Sequence, residues 1–234
     1  MQKVILSILG AGIFYLGGAV TVQYKLFPYP QIIDLKNGKL LDSRADYLKN
    51  NQYAQQVGLY NLYQTKQSKI VMLGDSITFG ANWNELLDDV NIINRGIGSD
   101  ITNGFIHRLE NIYKLNPKYV FIMGGINDIA KGYKVDKIFK NYKIIIEKLK
   151  SKNIRPIVQS TLFTTKSKHK NKVKKLNLLL MEYCKNNKID FINLNDKLSK
   201  NDILIDDYTN DGVHLKPNGY EIWKKEIEKY LLEI

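Results

Sequence analysis

Gly74-Asp75-Ser76-Ile77-Thr78 follows directly on the apolar run Ile70-Val71-Met72-Leu73. A serine at the carboxyl end of a buried strand is placed to act as a nucleophile, provided a base can take its proton. His214 is the histidine in a context that suits a base. Asp211, three residues earlier, can hold the Nδ1–H and leave Nε2 free. Asn127 follows Gly124-Gly125-Ile126 and can donate its side-chain amide to a developing oxyanion. Backbone N–H groups of Gly96-Ile97-Gly98-Ser99-Asp100 can do the same. Together these stretches describe acyl transfer. Each also has a plainer reading. Asp75 and Ser76 can simply cap a helix, and Asn127 and Asp128 can form a turn or a second cap. Gly96–Asp100 can be a tight strand-to-helix turn, and Asp211–His214 a polar loop.

Positioning such groups requires a sheet. Short runs, apolar on both faces, predict buried parallel strands over Ile70–Leu73, Val90–Asn94, Tyr119–Met123, Pro156–Ser160 and Phe191–Leu194. Between them apolar residues recur every three or four positions: Val135, Ile138, Tyr142, Ile145 and Leu149, then Val173, Leu176, Leu180 and Tyr183. Trp223, Ile227 and Tyr230 repeat the pattern behind Pro217, a favourable first-turn proline. The alternation predicts an α/β fold, a parallel sheet covered on both sides. In such sheets ligands gather at the carboxyl ends of the strands, where Ser76, Ser99 and Asn127 would converge. His107 and His169 read as ordinary surface or packing residues.

The chain has 234 residues, 44% hydrophobic and 25% charged, enough for one sizeable core. Its net charge is +12, yet of 35 basic residues only Arg44, Arg95, Arg108 and Arg155 are arginines. Base readout favours arginine, so the lysine excess reads as a solvated surface, and no nucleic-acid partner is expected. One cysteine excludes an internal disulfide, and three scattered histidines call for no metal or cofactor. From Val4 to Tyr24 no residue is charged. That run predicts an N-terminal transmembrane helix over 1–25, with a cleaved signal segment as the alternative. Either places the following domain outside the cytoplasm, anchored or secreted. Residues 26–68 are expected to form a juxtamembrane segment with a helix or two leaning on a catalytic domain over 69–234.

The order and spacing of the four stretches resemble the SGNH, or GDSL, hydrolases, from about Lys69 to Leu232. The small platelet-activating-factor-acetylhydrolase-like esterases are the most similar in pattern. The resemblance implies a flavodoxin-like, three-layer α/β/α fold with a five-stranded parallel sheet. It implies Ser76 as nucleophile, His214 as base and Asp211 as the acid that orients it. The oxyanion would be held by the Ser76 and Ser99 N–H groups and by Asn127. Asp75, Gly125 and Asp128 would give structural support. The chain departs from the family at Ser99, where a glycine is usual. A positive φ there would cost a serine, and Gly98 is the fallback donor.

These readings predict a metal-independent serine esterase. With little room for a cap domain, its site should be open and suit acetyl esters on envelope carbohydrate. A lysophospholipase or an O-acyltransferase is the alternative within the same chemistry. A non-catalytic envelope-binding module is the alternative of another class, its basic surface holding anionic polymer or lipid.

Overall fold

A computed structural model describes residues 45–89 and 91–231 of the chain. The apolar run Val4–Tyr24 lies outside the described residues. Among the described residues no helix is long and apolar enough to cross a membrane.

A 3-10 turn, Asp46–Lys49, leads into α1 (Asn51–Leu62). Asn50 caps that helix, its Oδ1 accepting the Gln52 N–H at 3.1 Å. Tyr53 and Tyr60 of α1 are buried, and their hydroxyls donate to the carbonyls of Gly104 and Gly96. Then follow β1 (Ile70–Gly74), α2 (Ser76–Phe79), α3 (Trp83–Leu86), β2 (Ile92–Gly96), α4 (Thr102–His107) and α5 (Glu110–Tyr113). The chain continues through β3 (Tyr119–Met123), α6 (Ile126–Ala130), α7 (Val135–Lys150), β4 (Arg155–Gln159), α8 (Ser167–Asn186) and β5 (Asp190–Ile192). Beyond β5 come α9 (Asn195–Leu198), a small hairpin of β6 (Ser199–Lys200) and β7 (Ile203–Leu204), and α10 (Pro217–Leu231).

The five main strands are parallel and lie in the order β2-β1-β3-β4-β5, the flavodoxin-like order. Right-handed crossovers then fix the layers. The step from β1 back to β2 puts α2 and α3 on one face. The steps from β2 onward, all in the opposite direction, put α4, α7 and α8 on the other. The packing agrees: α7 lies against α4 and α8, while Trp83 of α3 meets Trp223 of α10 edge-on, 4.7 Å between ring centroids. Both indoles are fully buried.

All five residues of β1 and of β3 are buried, as expected of central strands. The second strand, expected over Val90–Asn94, runs over Ile92–Gly96; Val90 itself lies outside the described residues. The offset has a physical reason. As an edge strand, β2 tolerates Asn94 and Arg95, polar residues that mark a strand end in sequence. The fifth strand, expected over Phe191–Leu194, is likewise offset. Asp190 pairs with Arg155 of β4 at 2.7 Å, and Leu194 already caps α9.

Candidate active site

In register, Gly74 of β1 lies opposite Gly96 of β2 on one side and Met123 of β3 on the other. The direction of crossovers reverses at β1, and ligands bind beside such a switch point. Ser76 leaves β1 there. Only glycine fits just before it: a Cβ on Gly74 would stand 2.0 Å from Thr78 Oγ1 and 2.6 Å from the Met123 carbonyl. Asp75 does cap α2, its Oδ1 accepting the Ile77 N–H at 3.0 Å. Capping and chemistry are thus compatible readings of Gly-Asp-Ser, because the cap leaves the Ser76 hydroxyl free.

That hydroxyl meets His214, whose Nε2 lies 2.9 Å from Ser76 Oγ. His214 Nδ1 lies 2.6 Å from Asp211 Oδ2. The other carboxylate oxygen, Oδ1, accepts the backbone N–H groups of Val213 (2.9 Å) and His214 (2.8 Å), so the Asp211 side chain is locked in its own loop. Partial desolvation pulls the Asp211 carboxyl up, but the hydrogen bonds from His214 and Val213 outweigh it and hold the group well below the usual carboxylate range. An ionised Asp211 fixes the tautomer with Nδ1 protonated, and the Nε2 lone pair then faces Ser76. Both side chains are open to solvent, His214 at 49% and Asp211 at 54%. No lid covers them among the described residues.

The loop Ile97–Asp100 turns beside the end of β1, the Ile97 N–H donating to the Gly74 carbonyl at 3.1 Å. Ser99 is exposed and has φ 56°, the left-handed conformation that costs a non-glycine residue about 1 kcal/mol. Gly98 does not share it. Asn127, at the start of α6, reaches the same loop and donates through Nδ2 to the Asp100 carbonyl at 2.9 Å. Gly125 precedes α6 with φ +104°, and a Cβ there would lie 2.9 Å from Leu176 Cδ2. Asp128 points inward and accepts from both the N–H (3.0 Å) and the hydroxyl (2.6 Å) of Thr102, tying α6 to the start of α4.

Beneath the site lies a cluster of buried carboxyls. Burial pushes Asp75 up to about 7 against the pull of the Ile77 N–H, with Asp100 and Asp128 adding to the rise, and Oδ2 has no partner among the described residues. Burial likewise raises Asp100 to about 6 against the pull of Arg108, and Asp128 to about 6 against the bonds from Thr102. Arg108 is the organising cation. Its Nε binds Asp100 Oδ2 at 2.7 Å, Nη1 the Arg95 carbonyl at 2.6 Å and Nη2 the Gly74 carbonyl at 2.8 Å. One guanidinium therefore joins the ends of β1 and β2 to the loop behind Ser99.

Arg108 and Arg95 are both buried and stand apart from the lysine excess. Arg95 lies over the ring of Tyr60, 4.5 Å from its centroid. Asn94, the end of the expected second strand, also has a structural role: its Nδ2 binds the carbonyls of Thr78 (3.0 Å) and Ala81 (2.7 Å), and its Oδ1 takes the Gly96 N–H (2.7 Å). Scarcity was the available signal, since an arginine among so many lysines points to a forked, directional need. His107 stacks on Tyr47 and His169 is buried in α8, so neither joins the site. Among the described residues no three His, Cys, Asp or Glu side chains group as metal ligands.

Comparison with known proteins gives three kinds of match. The model of the GDSL-like Lipase/Acylhydrolase family matches residues 72–222. Among solved structures, a GDSL-like lipase from Bacteroides thetaiotaomicron superposes with a TM-score of 0.69 at 28% identity, covering 77% of this chain and 97% of that one. The lipase/acylhydrolase from Enterococcus faecalis does so with a TM-score of 0.62 at 22% identity, covering 70% and 95%, a likeness of fold. Among curated proteins, the N-acylneuraminate cytidylyltransferase of Streptococcus agalactiae (serotype III, strain NEM316) is 26% identical over 199 residues, 84% of this chain and 46% of that protein. The chain thus spans about half the length of the curated relatives it matches.

Proposed function

The chain belongs to the GDSL-like lipase/acylhydrolase family, and on that premise we propose that it is a serine esterase in which Ser76, His214 and Asp211 carry the reaction. The observation that carries this reading is the unbroken chain from Ser76 Oγ through the His214 ring to Asp211, at 2.9 and 2.6 Å. Ser76 Oγ attacks the ester carbonyl carbon as His214 Nε2 takes its proton. The tetrahedral oxyanion is held by the N–H groups of Ser76 and Ser99 and by Asn127, which keeps a second amide N–H beyond the one given to Asp100. His214 returns the proton to the leaving alcohol. Water, deprotonated by the same nitrogen, then attacks the acyl-serine and releases the acid.

The exposure of His214 and Asp211 supports an open site with room for a bulky alcohol and a short acyl group. Acetyl esters on envelope carbohydrate fit that shape. The curated relatives are named for an acylated sugar, which agrees with a carbohydrate setting but covers only part of those proteins. The uncharged run Val4–Tyr24 would hold the enzyme at a membrane, or direct its secretion if cleaved. Ser76→Ala is expected to lower kcat on p-nitrophenyl acetate by about 10⁴-fold or more with the fold intact. Wild-type turnover by that variant, or failure of a fluorophosphonate probe to label Ser76, would overturn the reading. A rate that rises with acyl length would rule out a deacetylase.

A further inference from the structure

Helix α1 lies before the family-matched segment, yet its cap reaches the peptide proposed to hold the oxyanion. Asn50 Nδ2 donates to the Gly98 carbonyl at 2.7 Å, across 48 positions of sequence. That carbonyl belongs to the same planar peptide unit as the Ser99 N–H. In a trans peptide the two groups point in opposite directions. Fixing the carbonyl toward α1 therefore aims the Ser99 N–H away from α1. The bond also polarises the peptide and strengthens the N–H as a donor.

The surroundings agree. The neighbouring polar groups of the loop are fastened separately, the Gly96 carbonyl by Tyr60, the Gly96 N–H by Asn94 and the Asp100 carbonyl by Asn127. Gln52 of α1 covers Gly98 so closely that a Cβ there would fall 1.8 Å from its Oε1. Ser99 bears a left-handed φ that a serine does not choose unaided. An outside hold on the preceding carbonyl is what such a residue needs to keep one orientation.

We propose that Asn50 is a positioning residue for the oxyanion donor, orienting and polarising the Gly98–Ser99 peptide from outside the catalytic segment. This rests on the proposed role of the Ser99 N–H. Asn50 has two jobs that substitution can separate. Its Oδ1 caps α1, which Ser and Asp do equally well. Its Nδ2 holds Gly98, which a serine is too short to do and a carboxylate, lacking a donor, cannot do.

The test uses the full-length chain with Asn50→Ser, Asn50→Asp, Tyr53→Phe and Ser76→Ala. Tyr53→Phe removes another bond from α1 to the domain, at Gly104, away from the peptide in question. Both Asn50 variants are expected to lose about tenfold or more in kcat on p-nitrophenyl acetate, part of the roughly 10²–10³-fold that a whole donor is worth. KM and Tm should stay near wild type, and Tyr53→Phe should lower Tm but not kcat. Wild-type kcat in the Asn50 variants overturns the inference. So does a kcat loss that tracks Tm across all three α1 variants, which marks Asn50 as a plain anchor. An active Ser76→Ala would instead remove the reading of the site on which the inference stands.

Discussion

Asn127 spends one amide proton on the Asp100 carbonyl and keeps the other, so its side chain is already held in place for the proposed donor role. Pre-aimed donors do most when charge develops, and Asn127→Ala is expected to lower kcat by about 10²–10³-fold with a smaller change in KM. Asp211→Asn keeps the shape but releases the tautomer; a kcat loss of about 10²–10⁴-fold is expected, read with the same ester. Arg108 acts on stability. Arg108→Met strands the buried Asp100 carboxyl and two main-chain carbonyls, and should cost about 3–5 kcal/mol in urea unfolding. A loss below about 1 kcal/mol would show that Asp100 does not depend on it. Ser76, His214 and Asp211, which the structure brings together, and the proposed donor Asn127 could be picked out as candidates because each stands in a short local pattern. Asn50, Asn94 and Arg108 were not, since each acts through main-chain carbonyls brought near only by the fold, 34 positions away for Arg108 and Gly74.

The long helices were legible from periodicity, and the central strands from their unbroken apolar runs. The edge strands slid by one or two residues, because an edge tolerates polar side chains and sequence reads those as loop. Short pieces such as α2 and α6 carry no periodicity; they exist because the chain must turn sharply at the strand ends. Glycine permits those turns. Gly125→Ala meets both a positive φ and the buried Leu176. It is expected to lower stability by about 1–3 kcal/mol in urea unfolding, with activity lost in proportion to any shift of Asn127. A neutral result would mean that α6 can rotate to make room.

Across the molecule the buried carboxyls set the response to pH. Asp75 lies at about 7, and Asp100 and Asp128 at about 6, in the folded form. An unfolded chain releases those protons near pH 4. Between about pH 4 and 7 the folded state therefore holds more protons, and its stability falls as pH rises through that window. Asp211, depressed by its partners, works in the opposite sense at lower pH: its contribution is present above about pH 4 and is lost on further acidification. Thermal unfolding should give a higher midpoint near pH 5 than near pH 8, and Asp75→Asn should flatten the difference. A higher midpoint near pH 8 would contradict the assignment.

Ser76 and His214 stand 138 positions apart, one behind the first strand and the other behind the last. During synthesis the proposed nucleophile emerges early and waits for its proposed base through every strand and crossover between. On the proposed mechanism a growing chain is inert toward esters until the stretch bearing His214 has been made and has docked, so the onset of ester cleavage would time that docking.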